Sequence, residues 1–72
     1  MTPSNITERL HRIAAISLLA EEVFESSEVA AKWMGQPNRA LGGKTPTELC
    51  DTEAGAAQVR RILQAMEWGG VV

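Results

Sequence analysis

The sequence predicts an all-α fold: a small compact bundle of about four helices, two longer ones flanking two short ones, with a short C-terminal tail. Three observations carry that expectation. Strand signals are nearly missing, with no Tyr, one Phe and two Trp in 72 residues and no sustained apolar–polar alternation. Apolar residues recur instead at steps of three and four. Capping residues and Gly or Pro breaks fall where those periodic stretches stop.

The first helix can be capped by Ser4 or Asn5, and its apolar side reads Ile6, Leu10, Ile13, Ile16, Ala20 and Val23. Glu8 is expected in its first turn, where a carboxylate complements the helix dipole. Glu21-Glu22 lie near the far end, unfavourable for the dipole but compatible with an exposed, fraying turn. Phe24 is expected to close this helix over the core. Ser26 or Ser27 then caps a shorter helix with Val29, Ala30, Trp33 and Met34 as its apolar side and Lys32 toward water. Gly35 is expected at C′ in the left-handed region, with Pro37 as a stop. Pro37-Asn38 reads as a turn, and Ala40-Leu41 as a short helical or irregular anchor.

The run Leu41 to Leu49 combines a joint, a helix start and an anchor. Gly42-Gly43 let the backbone turn without a Cβ penalty. Thr45 stands at N-cap, Pro46 at N1 where a missing N–H costs nothing, and Glu48 at N3, which completes a capping box. The third helix lasts one or two turns and is anchored by Leu49. Asp51 or Thr52 caps the last helix, from Glu53 to about Trp68, with Val59, Ile62, Leu63 and Met66 as its core stripe. Gly55 costs this helix about 1 kcal/mol relative to Ala, so it is either tolerated or marks the close approach of another backbone. Gly69-Gly70 end the helix and leave Val71-Val72 as an apolar tail.

A chain of 72 residues makes one domain that buries only about 60% of its unfolded surface. Marginal stability alone, or a partner covering more apolar surface, is expected. The net charge of −2 and a pI near 5.2 argue against a nucleic-acid footprint. Arg60-Arg61 are the only adjacent cations and read as a solvated helix face, as do Glu21, Glu22, Glu25 and Glu28. No apolar run approaches the length of a membrane span, and Glu8 and Arg9 precede any apolar stretch, unlike a signal peptide. The expected setting is the cytoplasm. A single cysteine, Cys50, and a single histidine, His11, make neither a disulfide nor a metal site, and Cys50 reads as a small buried hydrophobe. Gly42-Gly43-Lys44-Thr45 resemble the end of a phosphate-binding loop, but Asn38 stands where that loop needs Gly. No acid–base or nucleophile set is in evidence, so neither enzymatic activity nor a cofactor is expected. Trp33 shares a face with Val29 and Ala30 and reads as core. Trp68, in the last turn before two glycines, reads either as an interface anchor or as folded back on the core.

The ordered set Ala30, Trp33, Pro37-Asn38, Leu41-Gly42-Gly43-Lys44-Thr45-Pro46, Leu49, Asp51-Thr52, Gly55, Val59, Leu63, Glu67 and Gly69 resembles the antitoxin Xre/MbcA/ParS toxin-binding domain. The resemblance covers roughly residues 23–72, and residues 1–22 read as a helix leading into it. Within the set, Trp33, Asn38, Leu41, Gly42, Gly43, Thr45, Pro46, Glu48, Leu49 and Gly55 form a structural motif. The family implies a non-enzymatic antitoxin of a type II toxin–antitoxin system, which binds and neutralises a RES-domain toxin that consumes NAD. In relatives the C-terminal end approaches or blocks the toxin's NAD pocket. Carried over by position, that element is Trp68, Gly69, Gly70, Val71 and Val72, supported by Arg60, Arg61 and Gln64. Two departures accompany the resemblance. Family members usually carry an N-terminal helix-turn-helix domain, for which about 22 residues leave no room, so no direct DNA binding is expected of this chain; it is a truncated antitoxin, the C-terminal domain of one, or a stand-alone relative. Val71 also stands where relatives often have a bulkier residue. The alternatives are a dimerisation module, a homodimer paired through the exposed sides of the first and last helices, or a transcription-regulatory accessory module without catalytic activity.

Overall fold

In a computed structural model of the chain, residues 4–69 are described. They form α1 (Ser4–Phe24), α2 (Ser27–Met34), a 3-10 turn (Arg39–Leu41), α3 (Pro46–Leu49) and α4 (Glu53–Gly69), with no strand among the described residues. The all-α expectation holds, and so does the order of two long helices around two short ones. Gly70, Val71 and Val72 lie outside the described residues.

The core is built from Ile16 and Ala20 of α1, Ala30 and Met34 of α2, Leu41, Cys50, and Ala56, Val59 and Leu63 of α4. Ile13, Leu19, Val23, Phe24, Trp33, Leu49 and Ile62 pack against it, partly buried. Phe24 and Trp33 meet with ring centroids 5.6 Å apart at 52°, a tilted aromatic pair that joins the end of α1 to α2. The radius of gyration, 12.3 Å, exceeds the roughly 11 Å expected of a compact chain of this length, because both long helices overrun the core.

Four apolar assignments are corrected. Ile6, Leu10, Val29 and Met66 are exposed, at 68%, 56%, 47% and 42%. Arg9 and Arg12 both reach the joint ahead of α4, at Asp51 and Cys50, so Leu10 between them is exposed because it is turned outward, and Ile6 lies nearly a turn before Arg9. Met66 follows Leu63, the last buried residue of α4. Val29 is turned away because α2 buries the neighbouring Ala30 and Met34 face. The start of α1 also differs: Ser4 and Asn5 lie inside the helix, and its first turn holds no acidic residue, so Glu8 falls beyond the dipole's reach.

Caps elsewhere follow the sequence. Ser26 Oγ accepts from Val29 N at 3.1 Å. Thr52 Oγ1 accepts from Gly55 N at 3.0 Å and so caps α4. Gly35 is the exception: its φ of −98° and ψ of 4° are not left-handed. The end of α2 is satisfied otherwise, since Thr47 Oγ1 donates to Met34 O at 2.8 Å. The left-handed residue at the end of an α-helix is instead Glu25, with φ 55° immediately after α1, and Gly42, φ 67°, plays that part after the 3-10 turn.

The central motif folds as a closed loop. Asn38 N donates to Lys44 O (3.0 Å), while Asn38 O accepts from Leu41 N (3.0 Å) and Gly43 N (2.9 Å). Its side chain accepts from Ala40 N at 2.9 Å. Gly42 and Gly43 have φ of 67° and 85° with open space around each, so backbone conformation and not crowding selects glycine there. The capping box forms in full: Glu48 N donates to Thr45 Oγ1 at 3.0 Å, and Thr45 N to Glu48 Oε1 at 2.8 Å. Pro46 and Cys50 are the fully covered side chains at this corner, and Leu49 is only half-buried. Gly55 marks a close backbone approach, since a Cβ there would lie 2.0 Å from Leu49 O.

Candidate functional site

The outer face of α4 combines cationic, amide and aromatic side chains. Arg60, Arg61, Gln64, Glu67 and Trp68 are all exposed. Trp68 is 66% exposed, so within the described chain it does not fold back on the core. A helix turn separates side chains by about 100° per residue, which sends Arg60 and Arg61 different ways. Arg60 borders an open cleft of about 480 Å³ between α1 and α4, with Glu8, His11, Arg12, Ala15 and Glu53. Arg61 does not line it. α4 runs through Gly69, the last described residue, so Trp68 is held on a helix rather than a loop.

The floor of that cleft is an arginine clamp that the sequence reading missed. Arg12 Nε donates to Cys50 O at 2.7 Å and its Nη2 to Asp51 O at 2.8 Å. Its Nη1 lies 3.9 Å from Glu53 Oε2, and its side chain is only 14% exposed. Arg9 pairs with Asp51. Together they tie the middle of α1 to the joint between α3 and α4 and satisfy carbonyls that a short helix leaves orphaned. The available signal was Arg9 and Arg12 three residues apart on one helix face, beside Asp51 and Glu53 as unclaimed carboxylates.

Cys50 sits against this clamp. Burial pushes its thiol pKa up, opposed by the positive charges of Arg12 and then Arg9. A thiol so covered is a packing group and a poor nucleophile. His11 is exposed on the cleft wall, and no hydrogen bond links it to Cys50 among the described residues. No group of three His, Cys, Asp or Glu among them could hold a metal. None of their helices is long and apolar enough to cross a membrane. The structural motif, by contrast, is brought together: Trp33 on Phe24, Asn38 to Glu48 in one loop and cap, and Gly55 against Leu49. What α4 presents to solvent is guanidinium groups, an amide and a protruding indole on one helix.

The family described as the antitoxin Xre/MbcA/ParS C-terminal toxin-binding domain matches residues 19–69. An antitoxin Xre of Pseudomonas putida is 35% identical over 57 residues, 79% of this chain and 36% of its own. An antitoxin Xre of Photorhabdus laumondii is 34% identical over 64 residues, 88% of this chain and 43% of its own. A Prs ADP-ribosylating antitoxin of a Sphingobium species is 41% identical over 46 residues, 64% of this chain and 29% of its own. The chain thus spans about two fifths of the length of the antitoxin Xre relatives.

Proposed function

This chain belongs to the family of antitoxin Xre/MbcA/ParS C-terminal toxin-binding domains, and from that premise we propose that it neutralises a RES-domain, NAD-consuming toxin by occluding the toxin's active site. It acts by binding and carries out no chemistry of its own. The observation that carries this reading is Trp68, two-thirds exposed in the last turn of α4 beyond the final buried residue, Leu63. An exposed Trp on a helix end is a large, rigid anchor that gains most when a partner covers it. Residues 68–72 form the blocking element, and Arg60, Arg61 and Gln64 steady the toxin along α4. Residues 1–22 lead into the binding unit of residues 23–72 as part of one globule, since Ile16 and Ala20 already belong to its core.

Co-expression with a RES-domain toxin tests this. The full chain is expected to restore growth and to copurify with the toxin, and truncation after residue 67 to abolish rescue. Rescue by the truncated chain would sink occlusion by the tail; failure of the full chain to copurify would sink the choice of toxin.

A further inference from the structure

Away from α4, the exposed side of α1 carries an apolar row at steps of four: Ile6, Leu10, Ala14 and Leu18. Ile6, Leu10 and Leu18 are 68%, 56% and 62% exposed. Residues four apart form the ridge with which one helix packs into the groove of another. The row runs toward a groove of about 240 Å³ between α1 and α2, lined by Ser17, Glu21, Ser27, Ala30, Ala31 and Met34. Leu18 adjoins Ser17 in sequence and lies one helical turn before Glu21, at the groove's α1 wall. Ridge and groove make an apolar track that no described residue covers.

Charge decides what fits it. Glu21, Glu22, Glu25 and Glu28 are all exposed, and none is in an ion pair within the described residues. Between Arg12 and Arg39 the sequence holds one cation, Lys32. A second copy of the chain would bring the same carboxylates against themselves, which is repulsive across an interface. We propose that this track docks a basic amphipathic helix of a partner protein. Its apolar side lies along Leu10, Ala14 and Leu18 and enters the groove, while its Lys or Arg side chains meet Glu21 and Glu28. None of the residues that line the groove belongs to α4, and the inference does not depend on what the C-terminal tail enters.

The probe is a synthetic amphipathic helical peptide of Lys and Leu, titrated into the full, isotope-labelled chain and followed by amide NMR shifts. Shifts are expected to concentrate on Ala14, Leu18, Ala30 and Ala31, and a Glu/Leu peptide of the same pattern is expected to leave them unmoved. The Glu21→Lys/Glu28→Lys variant is expected to weaken binding by about tenfold or more, whereas Glu8→Lys/Glu67→Lys, the same change in net charge elsewhere, weakens it far less. Leu18→Ser gives the apolar arm, with circular dichroism confirming that each variant is folded. Shifts centred on α4, equal effects of the two charge-reversal pairs, or no loss with Leu18→Ser would overturn the proposal. So would self-association of the chain alone that Leu18→Ser abolishes, which would make a second copy the occupant.

Discussion

Arg12 donates from Nε to the carbonyl oxygen of Cys50 at 2.7 Å, joining the middle of α1 to the end of α3 across 38 residues of sequence. A second bond, from Nη2 to Asp51 O at 2.8 Å, makes the guanidinium a two-carbonyl clamp that a lysine cannot reproduce. Arg12→Ala removes both bonds and leaves Cys50 O without its charged donor. Hydrogen bonds to charged groups contribute about 1.5–3 kcal/mol each; the bond to Cys50 O is part-buried and that to Asp51 O exposed, so a loss of about 2–3 kcal/mol, set mainly by the first, is expected, with Arg12→Lys recovering less than half. Urea denaturation measures this, and an Ala variant as stable as the parent would show that the clamp contributes nothing net.

Gly55 is fixed by contact, and Gly35 is not. A Cβ at position 55 would stand 2.0 Å from Leu49 O and 2.9 Å from Leu49 C, both backbone atoms that cannot rotate away. Gly55→Ala is therefore expected to destabilise by about 2–4 kcal/mol, although helix propensity alone favours Ala by about 1 kcal/mol. At Gly35 the nearest atom would be 3.7 Å away and φ is negative. Gly35→Ala should then be neutral or stabilising by up to about 1 kcal/mol. Thermal melts of the pair decide it; equal effects would mean that the α3–α4 contact relaxes freely.

The local grammar of this chain was open to reading because it rests on neighbours in sequence. The Thr45–Glu48 box, the Gly42-Gly43 turn and the Ser26 cap each follow from residues within a few positions of one another. What stayed hidden depends on lengths and distant partners. Periodicity put Ile6, Leu10 and Met66 in the core because it describes a helix face, not how far that face is covered. The Arg12 clamp links residues too far apart in sequence for spacing to reveal it. On α4, exposure of Arg60 and Arg61 was legible from their offset from Val59 and Leu63, whereas Trp68 stood open between an interface anchor and a side chain folded on the core until its placement left it 66% exposed. Arg60's share in the cleft with His11 was not, since it needs the placement of α1.

Glu25 holds φ at 55° directly after α1, a region that costs an L-residue about 1–2 kcal/mol and costs glycine almost nothing. Its side chain is exposed and in no ion pair among the described residues, so no contact offsets that strain. Glu25→Gly is expected to stabilise the fold by about 1 kcal/mol, partly offset by the flexibility of glycine in the unfolded chain. For a domain of this size that corresponds to a rise in Tm of about 4–8 °C. A fall in Tm would mean that the Glu25 side chain supports the α1–α2 corner in a way its exposure conceals.

Cys50 gives the fold a pH dependence whose sign follows from its burial. Burial raises its pKa above the ordinary value of 9.0, and Arg12 and Arg9 only partly oppose the rise. Below 9.0 the thiol is protonated in folded and unfolded chains alike, and its contribution to stability is fully present. As pH climbs from that value through the higher folded pKa, the unfolded chain gives up the proton while the folded chain keeps it. Unfolding is thereby favoured, and stability is lost progressively. Urea midpoints taken from pH 7 to pH 10 should fall more steeply for the natural chain than for Cys50→Ala, which starts lower by the small cavity it creates. The same burial makes alkylation of the thiol at pH 8 proceed through opening of the fold, at a rate that rises with added urea. Rapid modification without urea, or identical pH slopes for the two chains, would place the thiol in contact with solvent.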